Sequence, residues 1–190
     1  MKLLEKRHLE VIPSQGKDAF EKITTGELNL EYETLVFFSA DGRHNPRDVG
    51  RLLLALERGN DMVVASRFIQ GGFRHDRNQR LRYRSIGNRI FTLLGNIFFY
   101  GNFSDSLYSF RAIRRKRLME ARLDEKGLPG FYQLSIQAIK GKWKVAEIPT
   151  VELVNPDVDD RKKILLSLFP LTRVLIKEWW RSQKGKIQAS

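Results

Sequence analysis

The chain has 190 residues, no cysteine, and 34 Lys and Arg against 22 Asp and Glu, a formal charge of +12. That length suits one domain with its own core, and the missing cysteines exclude a disulfide scaffold, a thiolate zinc site and a cysteine nucleophile. At 42% hydrophobic and 29% charged residues it is neither a disordered tail nor a membrane bundle, and no run reaches the roughly 18 apolar residues of a spanning helix. No apolar run follows Met1–Lys6, so no signal peptide is expected, and the chain is read as soluble or lying on a surface.

In chain order, His8 to Ile12 reads as a short strand stopped at Pro13, and Lys17 to Thr25 as a helix. Leu35-Val36-Phe37-Phe38 is a short β-prone apolar run, most simply a buried strand, and it enters the turn Ser39-Ala40-Asp41-Gly42. Asn45 as N-cap and Pro46 at the first helical position then start a helix. It carries Val49, Leu52, Leu53 and Leu56 at helical spacing and stops at Gly59. Met62 to Ala65 is a second buried strand, followed by Ser66-Arg67. A strand–helix–strand unit makes its two strands parallel, so Asp41 and Arg67 are expected near each other at the carboxyl edge, where open α/β sheets bind ligands.

Gln70-Gly71-Gly72-Phe73 opens a flexible stretch, and a long helix is expected from about Arg80 to Tyr100. Leu107 to Ile113 follows as a strand, Arg114 to Arg122 and Gly130 to Lys140 as helices, and Trp143 to Ile148 as a strand ending at Pro149. This alternation is the α/β pattern. Lys163 to Trp180 mixes eleven large apolar residues with cations, and Pro170 is expected to kink or split it. Trp179 and Trp180 beside lysines and arginines suit a helix in a membrane interface, while packing on the domain's own core is the other reading. The domains are therefore read as 1–160 and a basic amphipathic tail, 161–190.

The charge is concentrated. Eight cations (Arg161, Lys162, Lys163, Arg173, Lys177, Arg181, Lys184, Lys186) stand against one acid, Glu178, in the tail, and seven arginines lie between Arg67 and Arg89. Such blocks attract phosphates. A nucleic-acid-binding protein is the rival that composition alone suggests, yet no zinc-finger or RNP-type motif is present, so nucleic acid is not an expected partner. His8, His44 and His75 lack metal spacing, and no phosphate-binding Gly-rich loop or Gly-x-Ser-x-Gly motif occurs.

Five ordered blocks carry a resemblance: Phe38-Ser39-Ala40-Asp41-Gly42-Arg43-His44-Asn45-Pro46, Ala65-Ser66-Arg67-Phe68 with Gly71-Gly72, Arg84-Ser85-Ile86-Gly87-Asn88-Arg89, Asp105-Ser106-Leu107-Tyr108-Ser109-Phe110-Arg111-Ala112, and Gly130-Phe131 through Trp143 to Pro149. In this order they resemble family-2, GT-A-type glycosyltransferases, the polyprenyl-phosphate (dolichyl-phosphate) mannosyl- and glucosyltransferases in particular. The likeness covers roughly Gln15 to Lys163. It implies a partial GT-A, Rossmann-like α/β fold: a mostly parallel sheet flanked by helices, with a C-terminal amphipathic helix.

The resemblance further implies transfer of a sugar from a GDP- or UDP-sugar to a polyprenyl phosphate or related membrane acceptor, with inversion at the sugar carbon. Asp41 would hold Mg²⁺ or Mn²⁺ on the donor diphosphate, whose charge grows as the glycosidic bond breaks. Ser39, Arg43, Arg67, Arg84, Ser85, Asn88 and Arg111 would bind the donor and its phosphates, and Asp105 would orient the acceptor or act as acid/base. The implied place is the cytoplasmic face of a membrane, peripherally bound. Two departures stand out: Ser39 replaces the family's first Asp, and Arg43 its usual Gln. A guanidinium cannot ligate a cation, so Arg43 could itself neutralise the diphosphate and make the metal dispensable. The family's amino-terminal nucleotide-binding strands are also unmatched, which leads us to expect a completing partner chain or second copy. The alternative is a catalytically silent or truncated relative acting at the membrane surface through a partner chain.

Overall fold

The computed structural model describes residues 32–39, 41–70, 73–74, 79–152 and 161–188. The strand expected at His8 to Ile12 and the helix at Lys17 to Thr25 lie outside them.

The first strand, β1 (Thr34–Phe37), is followed by helix α1 (Arg47–Glu57). Pro46 has helical dihedrals, and Asn45 Oδ1 accepts the Arg47 amide at 3.1 Å, so the cap sits where Asn-Pro predicts. Leu52, Leu53 and Leu56 bury the inner face of α1, and Gly59, at φ 92°, releases the chain into β2 (Met62–Ser66). After β3 (Phe73–Arg74) come α2 (Gln79–Phe99), β4 (Arg111–Arg114), α3 (Arg115–Glu120), α4 (Gly127–Lys140), β5 (Val145–Pro149), β6 (Val151–Glu152) and α5 (Arg161–Gln188).

The main sheet has the order β1-β4-β2-β5. β4 runs antiparallel to both β1 and β2, whereas β2 and β5 are parallel. β1 and β2 are therefore parallel to each other, as a crossover through α1 requires, but they are not neighbours. The expectation of a mostly parallel sheet is corrected to a mixed one. The cause is the segment after α2. Residues 101–110 return the chain to the carboxyl edge of β1 and β2 before β4 begins, so β4 descends between them, with Arg111 opposite Phe37 and Val64. The strand is also shorter than Leu107 to Ile113. The Arg111 side chain binds the carbonyls of Ser106 and Tyr108, which hold those residues in a loop.

Alternation along β2 sorts the core onto two faces. Met62 and Val64 join Phe37 and Ile113 beneath Leu134 and Ala138 of α4, while Val63 and Ala65 meet Leu52 and Leu56 of α1 with Phe110 and Ala112. A third cluster lies between helices: Phe91 and Phe99 of α2, Tyr132 and Ile136 of α4, and Leu171, Val174 and Leu175 of α5. β6 pairs with β3 in a small second sheet and sets Glu152 at the carboxyl edge.

The last helix thus packs on the domain's own core. It continues through Pro170 without splitting. Glu178, fully buried, anchors it: the carboxylate accepts Gln133 Nε2 at 2.9 Å, Gln137 Nε2 at 2.8 Å, Lys140 Nζ at 2.8 Å and Arg181 Nη1 at 2.7 Å. Arg173, Lys177 and Arg181 pair with Asp124 or Glu125, so part of the tail's charge is neutralised within the fold. Burying a charge is stabilising only when its partners are all in place, so Glu178→Ala should lower stability by about 3–5 kcal/mol in denaturant unfolding. Hydrogen exchange should then place the first loss of protection in α5.

Candidate active site

Two structures meet at the carboxyl edge of β1 and β2. The first is the turn after β1. Gly42 takes φ 82°, a conformation L side chains rarely adopt, and the chain curls so that Arg43 folds back on Asp41. The Arg43 amide donates to Asp41 Oδ1 at 3.1 Å, and its Nε to Oδ2 at 2.6 Å, with Nη2 at 2.5 Å from the same oxygen. Partial burial works against ionisation of Asp41, but the Arg43 hydrogen bonds and charge, with help from the Ser39 hydroxyl, outweigh it and hold the carboxyl at about 2.

His44 fixes the turn from behind. It is 3% exposed, stacks on Phe110 with centroids 4.6 Å apart, and meets Phe38 and Tyr108 edge-on. The Ser39 amide donates to its Nδ1 at 2.9 Å, which leaves the ring proton on Nε2, toward Ser109 Oγ. Burial pushes this imidazole down to about 4, with Asp41 opposing.

The second structure is a buried ion cluster. Arg67 donates Nε to Asp105 Oδ2 at 2.7 Å and Nη2 to Oδ1 at 3.0 Å, a two-pronged pair, and Nη1 to Glu152 Oε2 at 2.9 Å. Its guanidinium lies over the Tyr108 ring at 4.1 Å. Burial disfavours the charge, but Asp105 and then Glu152 raise the Arg67 pKa above its ordinary value. Glu147 accepts the amides of Ser104 and Asp105, and Ser66 and Ser104 share a hydrogen bond of 2.5 Å. Burial pushes the Glu147 carboxyl up, against those hydrogen bonds. Arg111 completes the support. It is fully buried, gives its protons to the carbonyls of Tyr108, Ser106 and Phe131 and to Ser135 Oγ, and is pulled down by burial to about 9.

Between the turn and the cluster is a recess of about 50 Å³, lined among others by Arg43, His44, Arg67, Asn88, Ser109 and Glu152. Arg67 and His44 both line this recess, and the charges of Asp41 and Arg67, expected close together, act on His44 in opposite senses. Of the residues picked from sequence, Ser39, Asp41 and Arg43 gather on the turn, and Asn88 lines the recess. Ser85 stands one turn before Asn88 on α2, half-buried. The Arg84 side chain lies outside the described residues. Asp105 and Arg111 are each 0% exposed and brace the recess from within, while Arg67, 3% exposed, lines it with its charge already paired to Asp105 and Glu152. Glu152, Glu147 and His44's bracing role were not found from sequence. Glu152 follows Pro149 by three residues in no motif, and only the fold brings it to Arg67.

The donor set does not fit a divalent cation. Such an ion takes several oxygen ligands, with carboxylates foremost. The turn offers one carboxylate, both of whose oxygens already accept from Arg43. Among the described residues no three His, Asp or Glu side chains gather as a metal site would require.

Residues 9–121, more than half of the chain, match the model of Glycosyl transferase family 2. The chain belongs to that family. It is 32% identical over 126 residues to polyprenol monophosphomannose synthase of Mycolicibacterium smegmatis, covering 64% of this chain and 46% of the relative. It is 25% identical over 154 residues to glycosyltransferase AglJ of Haloferax volcanii, covering 80% and 49%. The chain spans about half the length of these relatives. Two solved structures share the fold. Glucosyl-3-phosphoglycerate synthase from Mycobacterium tuberculosis, in complex with uridine diphosphate, has a TM-score of 0.57 at 15% identity over 90% of this chain and 57% of that one. A mycobacterial protein has a TM-score of 0.54 at 17% identity over 80% and 48%. The chain therefore carries a family 2 match over residues 9–121 and a GT-A-like sheet.

Two measurements check this geometry. Arg67→Ala leaves Asp105 and Glu152 buried without their cation and should cost about 3–5 kcal/mol in urea unfolding. For His44, the folded pKa of about 4 lies below the unfolded value near 6.5, so the unfolded chain binds more protons between the two. Its contribution is fully present above about pH 6.5 and is lost as pH falls toward 4. The difference in unfolding free energy between the native chain and His44→Asn, whose amide oxygen can still accept from Ser39, should shrink over that window by roughly 3 kcal/mol.

Proposed function

We propose that this chain forms part of a transferase that moves a sugar from a GDP- or UDP-sugar to a polyprenyl phosphate at a membrane surface. One observation carries the reading. The Asp41–Arg43 turn and the Arg67–Asp105–Glu152 cluster flank one recess at the carboxyl edge of the sheet, the place where a family 2 chain of this topology is open to ligand. The name of the polyprenol relative favours the lipid acceptor, and the uridine diphosphate complex favours a nucleoside diphosphate donor.

In this reading Arg43, steered by Asp41, meets the donor diphosphate, with Ser39, Ser85 and Asn88 as neutral hydrogen-bonding groups nearby and Arg84 at the start of α2. An acceptor phosphate oxygen attacks the anomeric carbon as the carbon–oxygen bond to the diphosphate breaks. The configuration inverts, and the nucleoside diphosphate leaves with the electron pair. The acceptor is already an anion, so no strong base is required. Asp105, Arg67 and Arg111 position the 104–110 loop that walls the acceptor side.

The membrane assignment rests on two exposed stripes. Phe169, Ile176 and Trp180 lie along the outer face of α5, and Ile86, Ile90, Leu93 and Ile97 recur at helical spacing along α2, each at least half exposed. Among the described residues no helix is long and apolar enough to cross a membrane. Amphipathic helices of this kind lie in the headgroup region. A silent relative acting through a partner chain is the second reading, favoured by the engagement of Asp41 with Arg43.

Calorimetric titration of GDP-mannose and UDP-glucose into the full chain should give saturable binding to one of them, and Arg43→Ala should weaken it at least about tenfold. No binding of either would count for the silent relative. In flotation with vesicles containing anionic lipid, the chain should rise with the lipid. Phe169→Ser/Trp180→Ser, at exposed positions with little effect on folding, should reduce the floated fraction severalfold.

A further inference from the structure

The turn after β1 presents a charge arrangement opposite to that of a metal site. A metal site gathers several negative oxygens and leaves them unpaired until the ion arrives. Here the sole carboxylate of the turn is closed into a ring by the residue two positions on, through the Arg43 amide, Nε and Nη2. The geometry is held on both sides. Gly42 at φ 82° makes the fold-back possible, and His44, locked between Phe110 and Phe38, ties down Ser39. The Asp41 and Arg43 side chains remain 39% and 33% exposed, so the pair faces solvent at the mouth of the recess.

Seating a divalent ion on Asp41 would expel the guanidinium. It would then leave a double positive charge beside a single one, with one carboxylate between them. The second carboxylate that would offset this is a serine hydroxyl at Ser39, a weak ligand. The guanidinium itself has the shape and charge that phosphate oxygens bind in two-pronged fashion, and it never loses its proton at ordinary pH. A carboxylate behind an arginine restricts its rotamers, which lowers the ordering cost when the anion binds. The rest of the recess mouth is consistent with this. Arg67 is committed to Asp105 and Glu152, which leaves Arg43 as the lining arginine whose side chain is substantially exposed.

We propose that the Asp41–Arg43 turn binds a diphosphate group without a divalent cation, the Arg43 guanidinium, aimed by Asp41, standing where a metal ion would otherwise bridge carboxylates and phosphate. This rests on the donor reading above and specifies how the donor's charge is met. It follows that the turn has little affinity for a metal alone. It also follows that restoring the carboxylate spacing and removing the guanidinium should create a metal site.

Two measurements on the full chain test it. The first uses Mn²⁺ alone, followed by the electron paramagnetic resonance signal of the free ion. The unaltered chain should leave the signal unchanged, and Ser39→Asp/Arg43→Gln should attenuate it in proportion to protein. Attenuation by the unaltered chain that disappears in Asp41→Asn would overturn the proposal. The second titrates UDP and GDP by calorimetry in EDTA and again with Mn²⁺. Affinity should agree within about twofold between the two conditions, fall at least about tenfold in Arg43→Ala, and be partly retained in Arg43→Lys, which keeps the charge but not the fork. Binding seen only with Mn²⁺ would overturn this proposal and leave the donor reading standing. Binding in neither condition would overturn both.

Discussion

The Arg67 guanidinium ties together three parts of the chain that are far apart in sequence. Arg67 ends the β2 segment, Asp105 sits in the loop before β4, and Glu152 lies on β6, beyond the main sheet. Two carboxylates and one guanidinium out of water are expensive, and such clusters often add nothing to net stability. Their geometry is nevertheless demanding, because a two-pronged Arg–Asp pair tolerates little displacement. The cluster therefore acts mainly on where things are. With Asp105 held on Arg67, the 104–110 loop cannot slide along the sheet edge, and Tyr108, which packs on the same guanidinium, keeps His44 in its slot. Through His44 the constraint reaches the Ser39 amide and the turn that carries Asp41 and Arg43. The exposed turn is thus anchored in part by a buried charge network, through Tyr108 and His44.

Arg111 plays a complementary part. It is a fully buried cation whose hydrogen bonds go to carbonyls and one hydroxyl, while Asp105 and Glu147 act on it only through their charge. Four acceptors face this one guanidinium, and the Ser135 hydroxyl also donates to the Ser106 carbonyl at 2.6 Å, so cation and hydroxyl together satisfy buried acceptors of the loop before β4 and of α4. That accounts for the irregular stretch before β4, which looks β-prone by composition: the Ser106 and Tyr108 carbonyls accept from a side chain, and at Phe110, whose carbonyl accepts the Ala65 amide, the chain begins to pair with β2.

Much of the fold was legible in sequence because it rests on local signals. The Asn45-Pro46 cap, the leucine spacing of α1, the Gly59 stop, the long apolar half of α2 and the Pro149 terminus of β5 are all where a reading of residues puts them. The insertion of β4 between β1 and β2 was not legible, because pairing partners about fifty to eighty residues apart leave no local trace. The site was half legible for the same reason. Ser39, Asp41 and Arg43 lie within five residues of one another and stayed together, whereas Arg67 and Arg111 read as phosphate ligands because an arginine's sequence neighbours do not reveal a carboxylate supplied from β6 or carbonyls from α4. The terminal helix was ambiguous in a way that has a physical origin. Its apolar residues cover more than one face, and the fold uses one face for the core, through Leu171, Val174 and Leu175, and leaves Phe169, Ile176 and Trp180 outside.

The two departures of the turn from the family pattern make sense only as a pair. Ser39 alone would weaken a metal site by removing a carboxylate while leaving Asp41 unpaired and half-exposed. Arg43 alone, beside two carboxylates, would be one cation against two anions and would still leave an acid for a metal to bind. Together they give a turn of zero net charge in which the carboxylate is satisfied, the cation is aimed outward, and the backbone curl at Gly42 keeps both in register. His44, buried among three aromatic rings, holds the turn in this shape. The cost of keeping an imidazole neutral in that slot, visible in how far burial lowers its pKa, is borne at a position whose main hydrogen bond supports nothing except the turn itself.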